Sequence, residues 1–291
     1  MTGLDLKKNS PKPLIALLTD FGEVDWFVAA MKGVIKSISP ETEIIDVSHN
    51  VSSHSISSAA FVLRNSYNFF PEGTIFCVVI DPGVGGVREP IIAINEKYIF
   101  VGPNNGVFTL VAQKSKRWNC FEIIERKILP FRTYAKETSQ TFQGRDIFAP
   151  VAGKISSLKN LSEIKRFSRP LDNFIKIDFI TPKILRRGSD PSTILSIEGA
   201  IIYIDQFGNL ITNIENSLLK QYSGKSVQII CGKKKIAGLS QTFSSVKVGK
   251  PVAYYGSAGF LEIAVNQRRA DSFFKVAVGG KVTVKILDKR K

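Results

Sequence analysis

Strand-like and helix-like segments alternate along roughly the first 185 residues of this 291-residue chain, and then the helical periodicity stops. That change limits the fold more than any other feature. Leu14 to Thr19 is an apolar run closed by Asp20-Phe-Gly22. Trp26 to Ile38 has helical spacing behind Asp25, a candidate cap. Ile44 to Val47 reads as a strand, Ser55 to Tyr67 as a helix, and Thr74 to Ile80, Ile91 to Ile94 and Tyr98 to Val101 as strands. Helices are expected from Val107 and from Ile147, with Asp146 as a cap for the second. Such alternation calls for a mostly parallel sheet with helices on both faces. Leu158 to Pro191 is polar and broken by prolines, as a connection between domains would be. Beyond it come short strands: Thr193 to Ile204, Asn209 to Ile214, Ser226 to Cys231, Lys250 to Tyr255, Phe260 to Ala264 and Lys281 to Leu287. These suit a small all-β barrel or sandwich. The expected division is a flexible tail over residues 1–13, an α/β domain over 14–185 and a β domain over 186–291.

Composition narrows the possible partners. The net charge of +15 is uneven, with 16 Lys and Arg against 15 Asp and Glu in residues 1–150, and 24 against 10 in residues 151–291. The cations of the second half are scattered through strand-like sequence, and no RNA-binding aromatic signature accompanies them. A solvated basic face is expected there, with no nucleic-acid partner. No apolar stretch approaches the ~20 residues that span a bilayer, so no membrane partner is expected either. Cys77, Cys120 and Cys231 lie far apart and lack CxxC spacing, as expected of buried thiols in the reducing cytoplasm.

Chemistry concentrates in Asp81-Pro-Gly-Val-Gly-Gly-Val-Arg88. A carboxylate at the end of a buried strand lies where open α/β sheets bind ligands. The glycines admit a close backbone approach, and an arginine seven residues on can fold back over the acid. Asp20 ends another strand, where a carboxylate can accept two hydrogen bonds from a ribose diol. Asn104 and Asn105 end a third, within a turn that would itself explain them. In the second half, Asp205-Gln-Phe-Gly-Asn209 and Tyr255-Gly-Ser257-Ala-Gly259 add an acid, a ring, an amide and a hydroxyl beside strands.

Taken in order, Thr19-Asp-Phe-Gly22, Met31-Lys-Gly33, Asp46-Val-Ser-His49, Asp81 to Gly85 with Arg88, Gly102-Pro-Asn-Asn-Gly106, Phe142-Gln-Gly-Arg-Asp146, Asp205 to Asn209 and Leu261-Glu-Ile-Ala264 resemble one family. It is the S-adenosyl-L-methionine (SAM) hydroxide adenosyltransferases, adenosine-forming SAM hydrolases related to the fluorinases and chlorinases. The resemblance spans Leu14 to about Leu287. It implies an N-terminal α/β domain followed by a C-terminal β-barrel, and a homotrimer with sites between subunits. SAM is implied as substrate and adenosine as product, with no further cofactor and no metal. Asp81, Arg88 and Gln143 would be catalytic. Asp20 would hold the ribose hydroxyls, with Asn105 and Phe142 also against the substrate. Asp205 would meet the methionine ammonium and Ser257 its carboxylate, with Glu262 also against the substrate. Phe207, Asn209 and backbone near Val265 and Gln267 would contact adenine.

The resemblance also exposes a departure. In the halogenating branch the position of Asp81 is typically a tyrosine and the basic partner is absent, so Asp81 with Arg88 favours the water-using branch. Those hydrolases usually carry a histidine where this chain has Gln143. The only histidines here are His49 and His54, and His54 is expected at the surface or core edge. Gln143 can hydrogen-bond water but cannot take its proton near neutral pH. The alternatives are therefore a SAM- or adenosine-binding protein with little activity, and a halogenase-like enzyme.

Overall fold

A computed structural model describes residues 13–131, 138–186, 194–222 and 226–287. All but Pro13 of the expected tail lies outside the described residues, as does Thr193. The chain divides into two compact units, residues 1–177 and 178–291.

The first unit is built on seven strands: β1 (Leu14–Thr19), β2 (Glu43–Ser48), β3 (Ile75–Val79), β4 (Pro90–Ile94), β5 (Ile99–Pro103), β6 (Asn119–Ile123) and β7 (Ser168–Pro170), in the order β2-β1-β3-β5-β4-β6-β7. The first four in that order are mutually parallel, whereas β4, β6 and β7 join through antiparallel pairings. Five strands therefore share a direction, and β4 and β7 oppose them. The first reversal is local. Only Asn95 to Tyr98 separates β4 from β5, too short for a parallel crossover. The Asn95 side chain closes that turn by accepting from the Lys97 and Tyr98 N–H groups at 2.9 and 2.7 Å.

Alternate residues of the central strands feed two cores. Ile15, Leu17, Ile75, Cys77, Val79, Ile99 and Val101 face one side; Ala16, Leu18, Phe76, Val78 and Phe100 face the other. Burial on both faces is why these strands are continuously apolar. Among the helices α1 (Phe27–Ile38), α2 (Ile56–Ser66), α3 (Thr109–Ala112), α4 (Glu125–Ile128) and α5 (Ala149–Ser156), α1 and α5 cover the first side and α2 and α3 the second. Ser55 caps α2, accepting from the Ser58 N–H at 3.3 Å.

Two expected caps are not caps. α1 begins without a side-chain cap, at Trp26 rather than Asp25. Asp146 is fully buried inside a single π-helical turn, Gly144–Phe148, that runs directly into α5. There it accepts from the Ser139 N–H at 2.7 Å and from Arg145 Nε and Nη2 at 2.7 and 2.9 Å. The helix expected from Val107 is one short turn starting at Thr109.

The second unit is an antiparallel sheet of β8 (Lys183–Arg186), β9 (Ile194–Ile204), β10 (Leu210–Glu215), β11 (Ser226–Cys231), β12 (Lys234–Ala237), β13 (Pro251–Tyr255), β14 (Phe260–Val265) and β15 (Lys281–Leu287). The path runs β12-β11-β15-β9-β10-β14-β13, with β8 also on β9. Ser240, three residues past β12, bridges Tyr254 of β13 and donates its N–H to the Ala253 carbonyl at 2.8 Å. The sheet thus nearly closes into a barrel around Ile197, Ile201, Leu210, Ile229, Ile263, Val282 and Val284. Because β8 pairs with β9, the stretch before residue 186 goes with this unit.

Two glycines of the first unit predict opposite outcomes. A Cβ on Gly102 would lie 2.4 Å from the Val78 carbonyl oxygen and 2.9 Å from the Phe108 ring, both buried. Gly102→Ala should cost roughly 3 kcal/mol, the upper end of overpacking. Gly33 lies inside α1 and a Cβ there meets open space, so Gly33→Ala should stabilise by ~0.5–1 kcal/mol. Chemical denaturation of both variants checks the pair.

Candidate active site

The parallel half of the sheet brings its carboxyl ends to one edge of the first unit. Thr19 of β1 pairs with Val79 of β3, so the chain emerges as Asp20 beside the segment leading to Asp81. A cleft of about 330 Å³ opens there, lined by Asp20, Phe21, Phe27, Ser53, His54, Val79, Asp81, Val84, Thr141, Phe142, Gln143 and Gly144. Polar groups converge on it from separate loops, with aromatic rings forming much of the wall. Phe142 meets Phe21, Phe27 and Trp26 edge-on, with centroids 6.0, 5.1 and 5.3 Å apart.

Asp81 and Arg88 do fold onto each other. Arg88 Nε donates to Asp81 Oδ1 and Oδ2 at 3.1 and 3.0 Å, and Nη2 also donates to Oδ2. Their side chains are 5% and 9% exposed, so this pair is shielded from water and is not a surface ion pair. The guanidinium lies over the Phe148 ring, 5.6 Å from its centroid. Arg88 Nη2 donates to Gln143 Oε1 as well. An arginine carries only donors, so the Gln143 oxygen must face it and the amide NH₂ turns away. One fixed cation therefore holds a carboxylate and an amide at the cleft wall, and the π turn after Gln143 sets how that amide approaches.

Asp20 Oδ2 accepts from the His54 N–H at 2.8 Å. His54 is exposed, as expected of a surface residue, yet it also lines the cleft. Its φ of +63° is a left-handed conformation that few non-glycine residues adopt. Asn105 is placed otherwise than Asp20 and Asp81: it is not among the cleft-lining residues. Its Nδ2 donates to the Ile80 carbonyl at 2.8 Å, one residue before Asp81, and its Oδ1 accepts from the Val107 N–H at 3.2 Å. Asn104 is fully buried and ties Glu89 and Asn173 to β5. Phe27 and Ser53 lie outside the motifs read from the sequence, whereas Val84 lies within the Asp81–Arg88 run and Thr141 directly precedes Phe142. Phe21 was within reach, since it sits inside the Asp-Phe-Gly motif.

In the second unit, Asp205 and Asn209 close a turn, with the Asn209 N–H and Nδ2 each donating to the Asp205 carboxylate at 2.8 Å. Phe207 at its tip is 75% exposed. Glu262 of β14 stands across from Tyr254 of β13, whose hydroxyl donates to Oε1. Burial pushes the Glu262 carboxyl above its ordinary range, and the Asp205 charge adds to that against the Tyr254 hydrogen bond. Ser257 is exposed in the turn between β13 and β14. Val265 buries its side chain in the barrel core and Gln267 adopts φ +57°, so backbone is what Val265 can offer a ligand.

A thiolate nucleophile is not on offer. Burial pushes the Cys77 thiol up to about 12 and those of Cys120 and Cys231 to about 11. Among the described residues no three His, Cys, Asp or Glu side chains gather as a metal site, and no helix is long and apolar enough to cross a membrane.

Residues 15–165 match the SAM hydroxide adenosyltransferase N-terminal domain, and residues 199–283 match the C-terminal domain. The chain belongs to this family. It is 32% identical over 258 residues to an (R)-S-adenosyl-L-methionine hydrolase of Thermus thermophilus, covering 88% of this chain and 93% of that protein. A fluorinase of an Actinoplanes species is 28% identical, over 94% and 97% of the two chains. Among solved structures, an uncharacterized conserved protein of Thermotoga maritima superposes with a TM-score of 0.80 at 34% identity, covering 93% of this chain and 99% of that one. For this member of the family, the cleft edge of the first unit is where the motif residues Asp20, Asp81, Arg88 and Gln143 come together.

The Asp81–Arg88 pair makes a prediction that holds whatever the substrate. Removing either partner strands a buried charge, so Asp81→Ala and Arg88→Ala should each cost ~3–5 kcal/mol. The double variant should cost clearly less than the two added together. A denaturation cycle on the three variants measures this, and strict additivity would show the pair to be uncoupled.

Proposed function

We propose that this protein is an adenosine-forming SAM hydrolase. The observation that carries the reading is the buried Asp81–Arg88–Gln143 array in the wall of the cleft that also holds Asp20, in a chain of this family with relatives named (R)-S-adenosyl-L-methionine hydrolase. The reaction forms an O–C5′ bond and breaks the C5′–S bond. The electron pair of the broken bond neutralises the sulfonium, methionine leaves as a neutral thioether, and the water oxygen gives up one proton. No general acid is needed for departure. The protein must supply an in-line water, a proton acceptor and shelter from bulk solvent.

Each side chain has a part in that task. Asp81 orients the water and accepts its proton. Arg88 fixes Asp81 and Gln143, and its permanent charge favours a developing hydroxide. Gln143 turns its NH₂ away from Arg88, so it can donate to a water lone pair. Asp20 receives the ribose diol, with Phe142 against the nucleoside and Asn105 steadying the strand end behind Asp81. In the second unit, Asp205 and Glu262 suit the methionine ammonium, Ser257 its carboxylate, and Phe207, Asn209 and backbone at Val265 and Gln267 the adenine. No cofactor or metal enters this scheme. A homotrimer and a cytoplasmic location belong to the same reading. The family resemblance supports the first, and three buried free thiols support the second.

One observation favours a second reading. Where the family resemblance implies an imidazole this site carries the Gln143 amide, and lacking one positioned base typically costs ~10²–10⁴ in rate. A SAM-binding protein of very low activity is consistent with that. Incubating the purified protein with SAM and separating the products distinguishes the cases. Adenosine with methionine is the expected result. Untouched but bound SAM selects the binding protein, and a 5′-halo-5′-deoxyadenosine overturns the hydrolase reading. In the active protein, Asp81→Ala and Arg88→Ala variants that remain folded should lose turnover far more than SAM affinity.

Gln143→His sharpens the test. If position 143 orients water, the new imidazole should raise turnover with little change in SAM affinity. The Arg88 charge should depress the imidazole pKa below its ordinary ~6.5, leaving the ring neutral near pH 7. Turnover in the variant should then fall as pH drops through that lowered range, a limb absent from the wild type. A pH–rate profile of both proteins reads it, and a variant slower than wild type would mean the site is built around the amide.

A further inference from the structure

The motifs Met31-Lys-Gly33 and Asp46-Val-Ser-His49 contribute nothing to the cleft wall, yet the fold binds them together directly behind Asp20. Lys32 Nζ donates to Asp46 Oδ2 at 2.5 Å, and Asp46 Oδ1 lies 3.0 Å from His49 Nε2. Burial pushes the Asp46 carboxyl upward, but its Lys32 and His49 contacts outweigh that and hold it below the ordinary carboxylate range. His49 is 2% exposed, and its Nδ1 lies 2.8 Å from Oγ1 of Thr19, a residue with no exposure at all. Thr19 Oγ1 in turn accepts from the Phe21 N–H at 3.3 Å.

With the imidazole proton on Nε2, toward the Asp46 carboxylate, Nδ1 is left to accept from the Thr19 hydroxyl; the Nε2–Asp46 contact is close in distance but not aligned as a hydrogen bond. The freed lone pair of that hydroxyl then takes the Phe21 N–H. From Phe21 through Thr19 to His49 the donors point one way, which strengthens those links, while Lys32 donates to Asp46 from the other end. The His49 carbonyl adds a second hold by accepting from the Gly22 N–H at 2.8 Å. Gly22 has φ +69°, a conformation that glycine tolerates and most residues do not. His49 thus grips the chain on both sides of Asp20, while the His54 N–H grips the carboxylate itself. An irregularity in the β1–β2 pairing supports this. Leu17 faces Asp46 but Leu18 faces Ser48, so Val47 is an extra residue, of the kind that re-aims side chains beside active sites.

We propose that His49 is a positioning residue for substrate binding. With Lys32, Asp46 and Thr19 it forms a relay from the protein surface that fixes Asp20 for the two ribose hydroxyls. The inference rests on the reading of Asp20 as the ribose acceptor, and the test separates the two.

The readout is the preference for adenosine over 2′,3′-dideoxyadenosine, measured by calorimetry alongside the melting temperature. Wild type should favour adenosine by ~10²-fold, since hydrogen bonds to a charged group contribute strongly. Asp20→Asn should remove most of that preference. If it does not, the ribose reading fails, whatever the relay does. Thr19→Val and His49→Gln should cut the preference about tenfold, and Thr19→Ser, which keeps the hydroxyl, should restore it. Asp46→Asn alters only the partly exposed end of the relay, where folding is least at risk, and should cut the preference in the same direction. A lower melting temperature with the adenosine preference intact in Thr19→Val, His49→Gln and Asp46→Asn would overturn the proposal and leave the relay a purely structural brace.

Discussion

Parallel pairing of β1 with β3 is the constraint on which the first unit turns. Register fixes Thr19 against Val79, and the next residues of both strands leave the sheet at the same edge. Nothing about Asp20 or Asp81 would put them near each other without that register. A one-residue slip of β1 would also turn its side chains over, sending Leu17 to the face now filled by Leu18. The apolar packing that stabilises the unit is therefore the same packing that sets the spacing of its carboxylates. The Asp81–Arg88 pair depends on this in turn, because a buried ion pair survives only where the surrounding structure holds its geometry.

Periodicity reported what packing decides and missed what single hydrogen bonds decide. The central strands were legible because burial on both faces leaves a continuous apolar run. The antiparallel entry of β4 was not, since it hangs on the Asn95 side chain closing a turn whose sequence, Ile94-Asn-Glu-Lys-Tyr98, carries neither glycine nor proline. Asp146 looked like a cap because an acid before a helical pattern usually is one. The π turn takes it inside instead, where Arg145 and Ser139 satisfy it. Short strands such as β7 and β8 lack enough residues to show a period at all.

Site residues divide along similar lines. Asp20, Asp81 and Arg88 announced themselves as charged groups at strand ends, a position with a physical reason to bind ligands. Gln143 was found through the family pattern and not through its own chemistry, since a buried glutamine is unremarkable until its partner is known. His49 showed no sign of its contacts. A histidine thirty residues from Thr19 carries no local signal, and only the strand pairing brings the two side chains to 2.8 Å. The second unit was legible as a barrel-like set of strands, while the repulsion between Asp205 and Glu262 follows from a three-dimensional arrangement that spacing does not reveal.

The π turn at Gly144–Phe148 also bears on how such a site could diverge. Its wide loop, with the Ala149 N–H reaching back to the Gly144 carbonyl, is one residue longer than an α-helical turn. Losing a single residue there would restore the regular helix and swing everything upstream by about 100° around the axis. Gln143 would leave Arg88, and Phe142 would leave its ring cluster, without any change to the sheet. An insertion or deletion of one codon could thus refit the nucleophile end of the cleft in one step, a route that gradual side-chain replacement does not offer.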